Sequence, residues 1–431
     1  MSFAAGLMFV CFFGWATIGM PIGLAMIASG FLYLLLAGQD VGLLAEQGLN
    51  RLFKSFVLLA VPMFIFAAEI MNSGAISERL LRFTSLLVGR LRGGLAQMDI
   101  LLSIIFSGMS GSALADAAGP GKLMINLMLR DGRYAPGFAG AVAAASATIG
   151  PIIPPSIPMV LYAVVADTSI GYLFIGGVLP GLFMGAVLMV LVHVIATRRN
   201  FPIEPPIARS EVLPTVRDAF PALLMPVVLL GGIYSGAFTP TEAAAVAAAY
   251  ALLLALGFYR ALGLGELLAT LIRSAKSTAV VAITIIGALF FNYVVASEQI
   301  PEVFGSWIAD SGLPAPLFML LINVVFLVLG CFLDTLLMLL VIVPIVIPSV
   351  NAVGIDTVHF GVVIVVNMMI GLITPPYGEM LFLISGVTGI PLHAILKEIW
   401  PFLGSLLFAL LVMSLWPDLV LFLPRLLGYE G

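Results

Sequence analysis

Two stretches of this sequence place glycine and small polar residues inside chain that is otherwise almost wholly apolar. The first, Phe106–Ser156, reads FSGMSGSALADAAGP, then a polar turn, then ATIGPIIPPS. The second, Leu329–Glu379, reads LGCFLDTLLML, then a polar turn, then GLITPPYGE. Ser107, Ser110, Ser112, Ser146, Thr148 and Ser156 in one, and Asp334, Thr335, Thr374 and Tyr377 in the other, offer oxygen atoms only. Oxygen ligands without a cysteine or histidine cluster suit hard monovalent cations. Glycine and proline interrupt helices, and an interrupted helix frees carbonyls for a cation and N–H groups for an anion.

The two stretches keep register with each other. Gly108 pairs with Gly330, and Ser112 with Asp334, at an offset of 222 residues. Pro154-Pro155 pair with Pro375-Pro376, and Pro180 with Pro401, at an offset of 221. Matching interruptions in the two halves of a membrane protein point to the central site of a transporter.

Composition sets the class. Of 431 residues 62% are hydrophobic and 9% charged, against about 25% charged in soluble domains. Apolar runs of spanning length recur throughout, as in an all-α polytopic membrane protein. Cys11 and Cys331 both lie in apolar runs and imply no disulfide framework. The start, MSFAAGLMFVCFFGWATIG, lacks a basic leader and a cleavage site, so it is expected to be a span. An enzyme is excluded by the lack of H-E-x-x-H and G-x-S-x-G. An ATP-driven pump is excluded by the lack of a phosphate-binding loop.

The elements that carry the two stretches follow from the apolar runs. Residues 1–196 form a first repeat. The run Phe3–Leu36 holds two short spans interrupted at Gly19-Met20-Pro21, and Ser55–Asn72 is a third. Ser77–Arg92 alternates Arg79, Arg82, Arg90 and Arg92 with leucines, as an interfacial helix does. Hairpin one covers 94–130; each limb is too short for a core roughly 30 Å thick, so it re-enters. A broken span covers 136–166, and Gly171–Ala196 completes the half. A cytoplasmic linker, 197–218, leads to the second repeat, 219–431. This half has spans near Phe220–Tyr234, Thr241–Tyr259 and Lys276–Ala296, and a polar piece at Pro301–Asp310. Hairpin two at 315–350, a broken span at 358–387 and a last span at Trp400–Leu423 complete it. Five crossings per half make the repeats inverted in topology.

Charge tests that topology, since positive residues mark the cytoplasmic side. The linker carries Arg198, Arg199, Arg209 and Arg217, and the ends of hairpin one carry Arg79, Arg82, Arg90, Arg92, Arg130 and Arg133. No lysine or arginine lies between Lys276 and Lys397, the flanks of hairpin two. Arg51, Lys54 and Arg425 fall on the outer side, against the rule. Other charges have separate readings. Asp116 and Lys122 are six residues apart, poor spacing for a helical pair. Glu69 and Glu379 are placed at the site or in scaffold contacts. Thr239-Pro240-Thr241-Glu242 reads as a capping box, so Glu242 is structural.

SGMSGSALADAAGPGKLMI, TIGPIIPPS, GAFTPTEAAAVAAAY, LGCFLDT and GLITPPYGE together resemble the large membrane subunit of tripartite ATP-independent periplasmic (TRAP) transporters, over essentially the whole chain. The resemblance implies sodium-coupled uptake of a small organic acid by an elevator motion in the bacterial inner membrane, with Na⁺ as coupling ion and no cofactor. It implies two partners, a small four-helix membrane subunit, expected here as a separate chain, and a periplasmic substrate-binding protein; no nucleic acid is involved. Its cation sites join each hairpin tip to the break of its own repeat: Ser110, Gly111, Ser112 and Gly150 in one half, Gly330, Asp334, Gly371 and Thr374 in the other. Substrate is expected between the tips, near Ser112, Thr148, Pro154, Asp334, Thr335 and Pro375, with the joints Asn72–Ser77 and Ala166–Ile170 flexing. The alternative is a stand-alone ion-coupled anion transporter of similar architecture that uses no binding protein.

Overall fold

A computed structural model describes residues 2–42, 46, 56–72, 74–205 and 207–431. Arg51 and Lys54 lie outside the described residues. Every regular element among those residues is helical.

Helix α1 (Phe3–Thr17) begins at Ser2, whose hydroxyl accepts from the Ala5 amide at 3.2 Å. It stops before Pro21, which has no N–H to donate, and α2 (Ile22–Ala37) ends at Gly38 in the left-handed region. Helices of 15 and 16 residues thus stand where two short spans are expected. Then come α3 (Ala60–Met71) and α4 (Gly74–Val88), which turns 72° away from it. Helix α4 ends four residues earlier than expected. Gly89 opens a turn, which leaves Arg90 and Arg92 off the helix.

Helix α5 (Gly94–Ser110), α6 (Ala113–Asp116) and α7 (Lys122–Leu129) form the first helix–break–helix unit, with a π-helical turn at Ala117–Gly121 joining α6 to α7. The expected span 136–166 is broken into α8 (Pro136–Ala147) and α9 (Ile157–Ala166). Next is α10 (Ile170–Arg198). The linker is shorter than expected. Ala208 starts α11 (Arg209–Tyr234), so among the described residues only 199–205 and 207–208 are non-helical, and prolines at 202 and 205 keep them so.

Helices α12 (Pro240–Leu252) and α13 (Leu264–Ser297) follow. The expected polar piece is a helix, α14 (Ile300–Ser311). The second helix–break–helix unit is α15 (Ala315–Gly330), α16 (Thr335–Leu337) and α17 (Val343–Ala352), again with a π-helical turn, Met338–Ile342. Where the second broken span is expected, the chain forms α18 (Thr357–Gly371) and α19 (Glu379–Thr388). The last span is displaced from expectation. It is α20 (Leu392–Leu415), and Pro417 separates it from α21 (Asp418–Leu426), where Arg425 pairs with Asp418 at 2.6 Å.

Six helical segments among the described residues are long and apolar enough to cross a bilayer: Ile170–Arg198, Arg209–Tyr234, Pro240–Phe258, Leu264–Ser297, Thr335–Ala352 and Leu392–Leu415. The chain is a multi-pass membrane protein. Helices of 15–17 residues such as α1, α2, α5 and α15 reach only about 23–26 Å at 1.5 Å per residue.

The helices sort into two packing groups. In one, α13 packs on α2 and α3, and α12 on α3 and α11. The other gathers α5 to α10 and α15 to α21 around α8 and α18, which are buried on nearly every face. Small residues make that closeness possible. Helix α10 turns Gly177, Gly181 and Gly185 toward the α8–α9 break and α5: a Cβ on Gly177 would strike the Ile152 carbonyl oxygen, and on Gly181 and Gly185 the side chains of Ile153 and Ile104.

Candidate functional site

Helix α5 ends at Ser110 because Gly111 takes φ +61°, which any Cβ makes costly. A Cβ at Gly111 would also collide with the Pro155 carbonyl oxygen, so the tip rests directly on the α8–α9 break. The chain re-enters a helix at Ser112, whose hydroxyl accepts from the Ala115 amide at 3.3 Å. Gly150 closes on the same turn: its Cβ would stand 3.4 Å from the Ser112 carbonyl oxygen. The break, 148–156, is buried throughout. Thr148 donates to the Ala145 carbonyl at 2.6 Å; Ser156 donates to the Pro151 carbonyl and accepts from the Met159 amide at 3.2 Å. The Ser110 hydroxyl is buried without a hydrogen-bond partner, an oxygen left over for a ligand.

The second tip is built differently. Asp334 caps α16, with Oδ2 accepting from the Leu336 amide at 2.8 Å. Gly330 meets Gly371 backbone to backbone; a Cβ on Gly371 would lie 3.1 Å from Gly330. Thr374 donates to the Ile370 carbonyl at 2.7 Å. The break 372–378 opens outward at its end, leaving Pro376 and Tyr377 exposed. Both double prolines, Pro154–Pro155 and Pro375–Pro376, are joined by cis peptide bonds.

The two tips meet. Ser110, Gly111 and Ser112 share a cavity of about 540 Å³ with Asp334 and Thr335; Glu69, Asn72, Ser277 and Glu379 complete its polar wall. The other expected residues stand off that wall. Thr148, Gly150, Pro154, Gly330, Gly371, Thr374 and Pro375 lie behind the tips, because each break packs beneath the tip it supports. Glu69 both lines the cavity and pairs with Arg273 at 3.2 Å. Glu242 completes the expected capping box, accepting from the Thr239 amide at 2.8 Å. Asp116 is fully buried and Lys122 exposed, so they do not pair as side chains of one environment. Sequence reading missed Asn72 and Ser277, isolated polar residues at the ends of apolar runs with no motif around them.

No group of three or more His, Cys, Asp or Glu able to hold a metal occurs among the described residues. The site offers hydroxyls, carbonyls and carboxylates, a donor set for a hard cation.

Helices broken at two apposed tips inside a multi-pass bundle define a membrane transporter, and the whole fold agrees. The Alcanivorax borkumensis YdaH transporter superposes with a TM-score of 0.64 over 87% of each chain, at 14% identity, a likeness of fold alone. The sequence is more specific. Residues 9–419 match the family described as "Tripartite ATP-independent periplasmic transporter, DctM component", and the chain belongs to that family. It is 43% identical over 425 residues to SiaM of Vibrio cholerae, a sialic acid TRAP transporter large permease protein, covering 97% of this chain and 98% of that one. It is 41% identical over 400 residues to DctM of Pseudomonas aeruginosa, a C4-dicarboxylate TRAP transporter large permease protein, covering 93% of each. These are permease subunits; the chain is a transporter component and not an enzyme.

Proposed function

We propose that this chain is the large subunit of a sodium-coupled uptake system in a bacterial inner membrane, carrying a small organic acid handed over by a periplasmic binding protein. A small membrane subunit, as a separate chain, completes it. Relatives named for sialic acid and C4-dicarboxylates support a carboxylate cargo.

One observation carries the coupling. The cavity between the tips is lined by Glu69, Asp334 and Glu379 and, among the described residues, by no lysine, arginine or histidine. Glu69 has Arg273 as its partner. An anionic substrate placed about 8 Å from each of the other two carboxylates meets roughly 2 kcal/mol of repulsion from each at an effective dielectric near 20. Cations bound at the tips reverse that sign. Ser110, Gly111, Ser112 and Gly150 form one such cation position, and Gly330, Asp334, Gly371 and Thr374 the other. Substrate then sits between Ser112 and Thr335.

The halves act as inverted repeats, each hairpin re-entering beside its broken span. The π-helical turns support this, since Ala117–Gly121 and Met338–Ile342 stand at the same offset of 221 residues as the double prolines. Arg425, though paired with Asp418, still counts against the charge rule, which tallies lysine and arginine and not net charge. The group around α8 and α18 moves as an elevator against a frame of α1 to α4 and α11 to α13.

Reconstitution with both partners and a panel of carboxylates tests the reading. Uptake should follow an inward sodium gradient; equal uptake in sodium-free medium under a proton gradient overturns it. Cysteines at Ser311 and Arg133 should label from opposite sides, periplasmic and cytoplasmic; labelling from one side removes the inverted repeat.

A further inference from the structure

Two asparagines, one on each frame helix that faces a hairpin, do parallel work. Asn72, at the end of α3, donates through Nδ2 to the carbonyl of Ala115 at 3.3 Å. Asn292, near the end of α13, donates through Nδ2 to the carbonyl of Leu340 at 2.7 Å. Ala115 lies two residues before the π-helical turn Ala117–Gly121, and Leu340 lies inside the turn Met338–Ile342. A π-helical turn disturbs the regular i to i+4 ladder and leaves carbonyls short of a helical donor.

The fit around the asparagines is close. A Cβ on Gly119 would fall on the Asn72 Oδ1 atom, so only glycine lets the side chain reach over the turn. Asn292 and Leu340 share a second, mostly apolar crevice of about 660 Å³, where water has few partners to offer in their place. In both asparagines Oδ1 is buried without a hydrogen-bond partner. A side chain that buries an unpaired acceptor in order to make one bond contributes little net stability. It contributes a fixed position.

We infer that Asn72 and Asn292 are paired latches, positioning residues that tie the π-helical turns of the two hairpins to the frame in this state and must release for the hairpins to move. The inference rests on the proposed division into frame and moving unit. Because both latches hold one rigid body, their effects on its position multiply.

The test uses the full chain with its small membrane subunit in nanodiscs, with Cys11 and Cys331 replaced and spin labels at Leu264 on the frame and Arg130 on the first hairpin. Both positions are exposed. Distance distributions are compared for the parent, Asn72→Ala, Asn292→Ala and the double variant. Each single change should shift the ratio of the two end states about fivefold away from the distance in this structure, and the double change about 25-fold, with unfolding temperature nearly unchanged. Two distance populations that none of the variants shifts, or a fall in unfolding temperature with the ratio intact, overturns the latches alone. A single fixed distance in the parent overturns the moving unit, and the latches with it.

Discussion

The two tips answer one chemical problem with different materials. The first has only hydroxyls and main chain at its turn, Ser110 and Ser112 over a break buried from end to end and held by contact between Gly111 and Pro155, with the buried carboxylates of Asp99 and Asp116 behind it. The second is charged and partly open, with Asp334 capping its helix, Glu379 nearby and a break exposed at Pro376 and Tyr377. On the proposed coupling, a turn of hydroxyls and carbonyls holds its cation through geometry, so it tolerates little displacement. A site with a carboxylate binds it through charge and tolerates more. The first tip should therefore respond most to changes of shape, and the second to changes of charge.

The largest expected effect is at Gly111→Ala. The left-handed conformation alone costs about 1–2 kcal/mol, and the new Cβ must displace the Pro155 carbonyl. Sodium-driven uptake should be lost, while Gly330→Ala, whose Cβ meets Gly371 at an ordinary 3.4 Å, should retain most of it. Equal loss at both glycines breaks the contrast of shape and charge.

Asp334→Ala comes next. The cap contributes about 1 kcal/mol, and the lost charge should raise the sodium concentration for half-maximal uptake tenfold or more, about 1.4 kcal/mol. Asp334→Asn keeps a capping oxygen and removes the charge, so it should show the sodium shift with little loss of stability in detergent. Full sodium affinity in Asp334→Asn would reduce Asp334 to a cap. Ser112→Ala should be milder, a loss of about fivefold in sodium affinity for one hydroxyl ligand.

The smallest effect lies outside both sites. Glu298 accepts from the Ser2 amide at 2.7 Å and from the Tyr33 hydroxyl at 3.1 Å, and the Ser2 hydrogen bonds hold its carboxyl below the usual range. A depressed carboxyl contributes stability above its unfolded pKa and loses it as pH falls through the folded one. Glu298→Gln should lower the unfolding temperature slightly at pH 7, with the gap to the parent closing below about pH 4. Uptake at neutral pH should not change.

Much of this was legible in the sequence where chemistry and periodicity coincide. Gly111, Ser112 and Asp334 stood out because polar residues inside a long apolar run demand a reason, and the structure sets them on one cavity wall. Helix ends were harder. The linker hid the first turns of α11, because Arg209, Glu211 and Arg217 look like loop while serving a helix that emerges from the membrane. Asn72 and Asn292 were invisible for another reason. Their partners are main-chain carbonyls; Pro344 announces that Leu340 lacks its helical donor, but nothing in the sequence says which side chain takes that place.

The glycine face of α10 decides where the moving parts join the still ones. Surfaces that glide past each other need interchangeable packing, one turn as good as the next. Gly177, Gly181 and Gly185 are keyed one by one to Ile152, Ile153 and Ile104, and a shift by one residue would drive Leu182 or Met184 into that contact. On the proposed motion α10 therefore travels with the tips, and Ala166–Ile170 is no joint. The slack must come from the connections that cross between the two groups, 89–93 between α4 and α5 and the stretch between α10 and α11. Five residues pulled straight span at most about 17–18 Å, so the shorter connection, 89–93, sets the longest possible stroke.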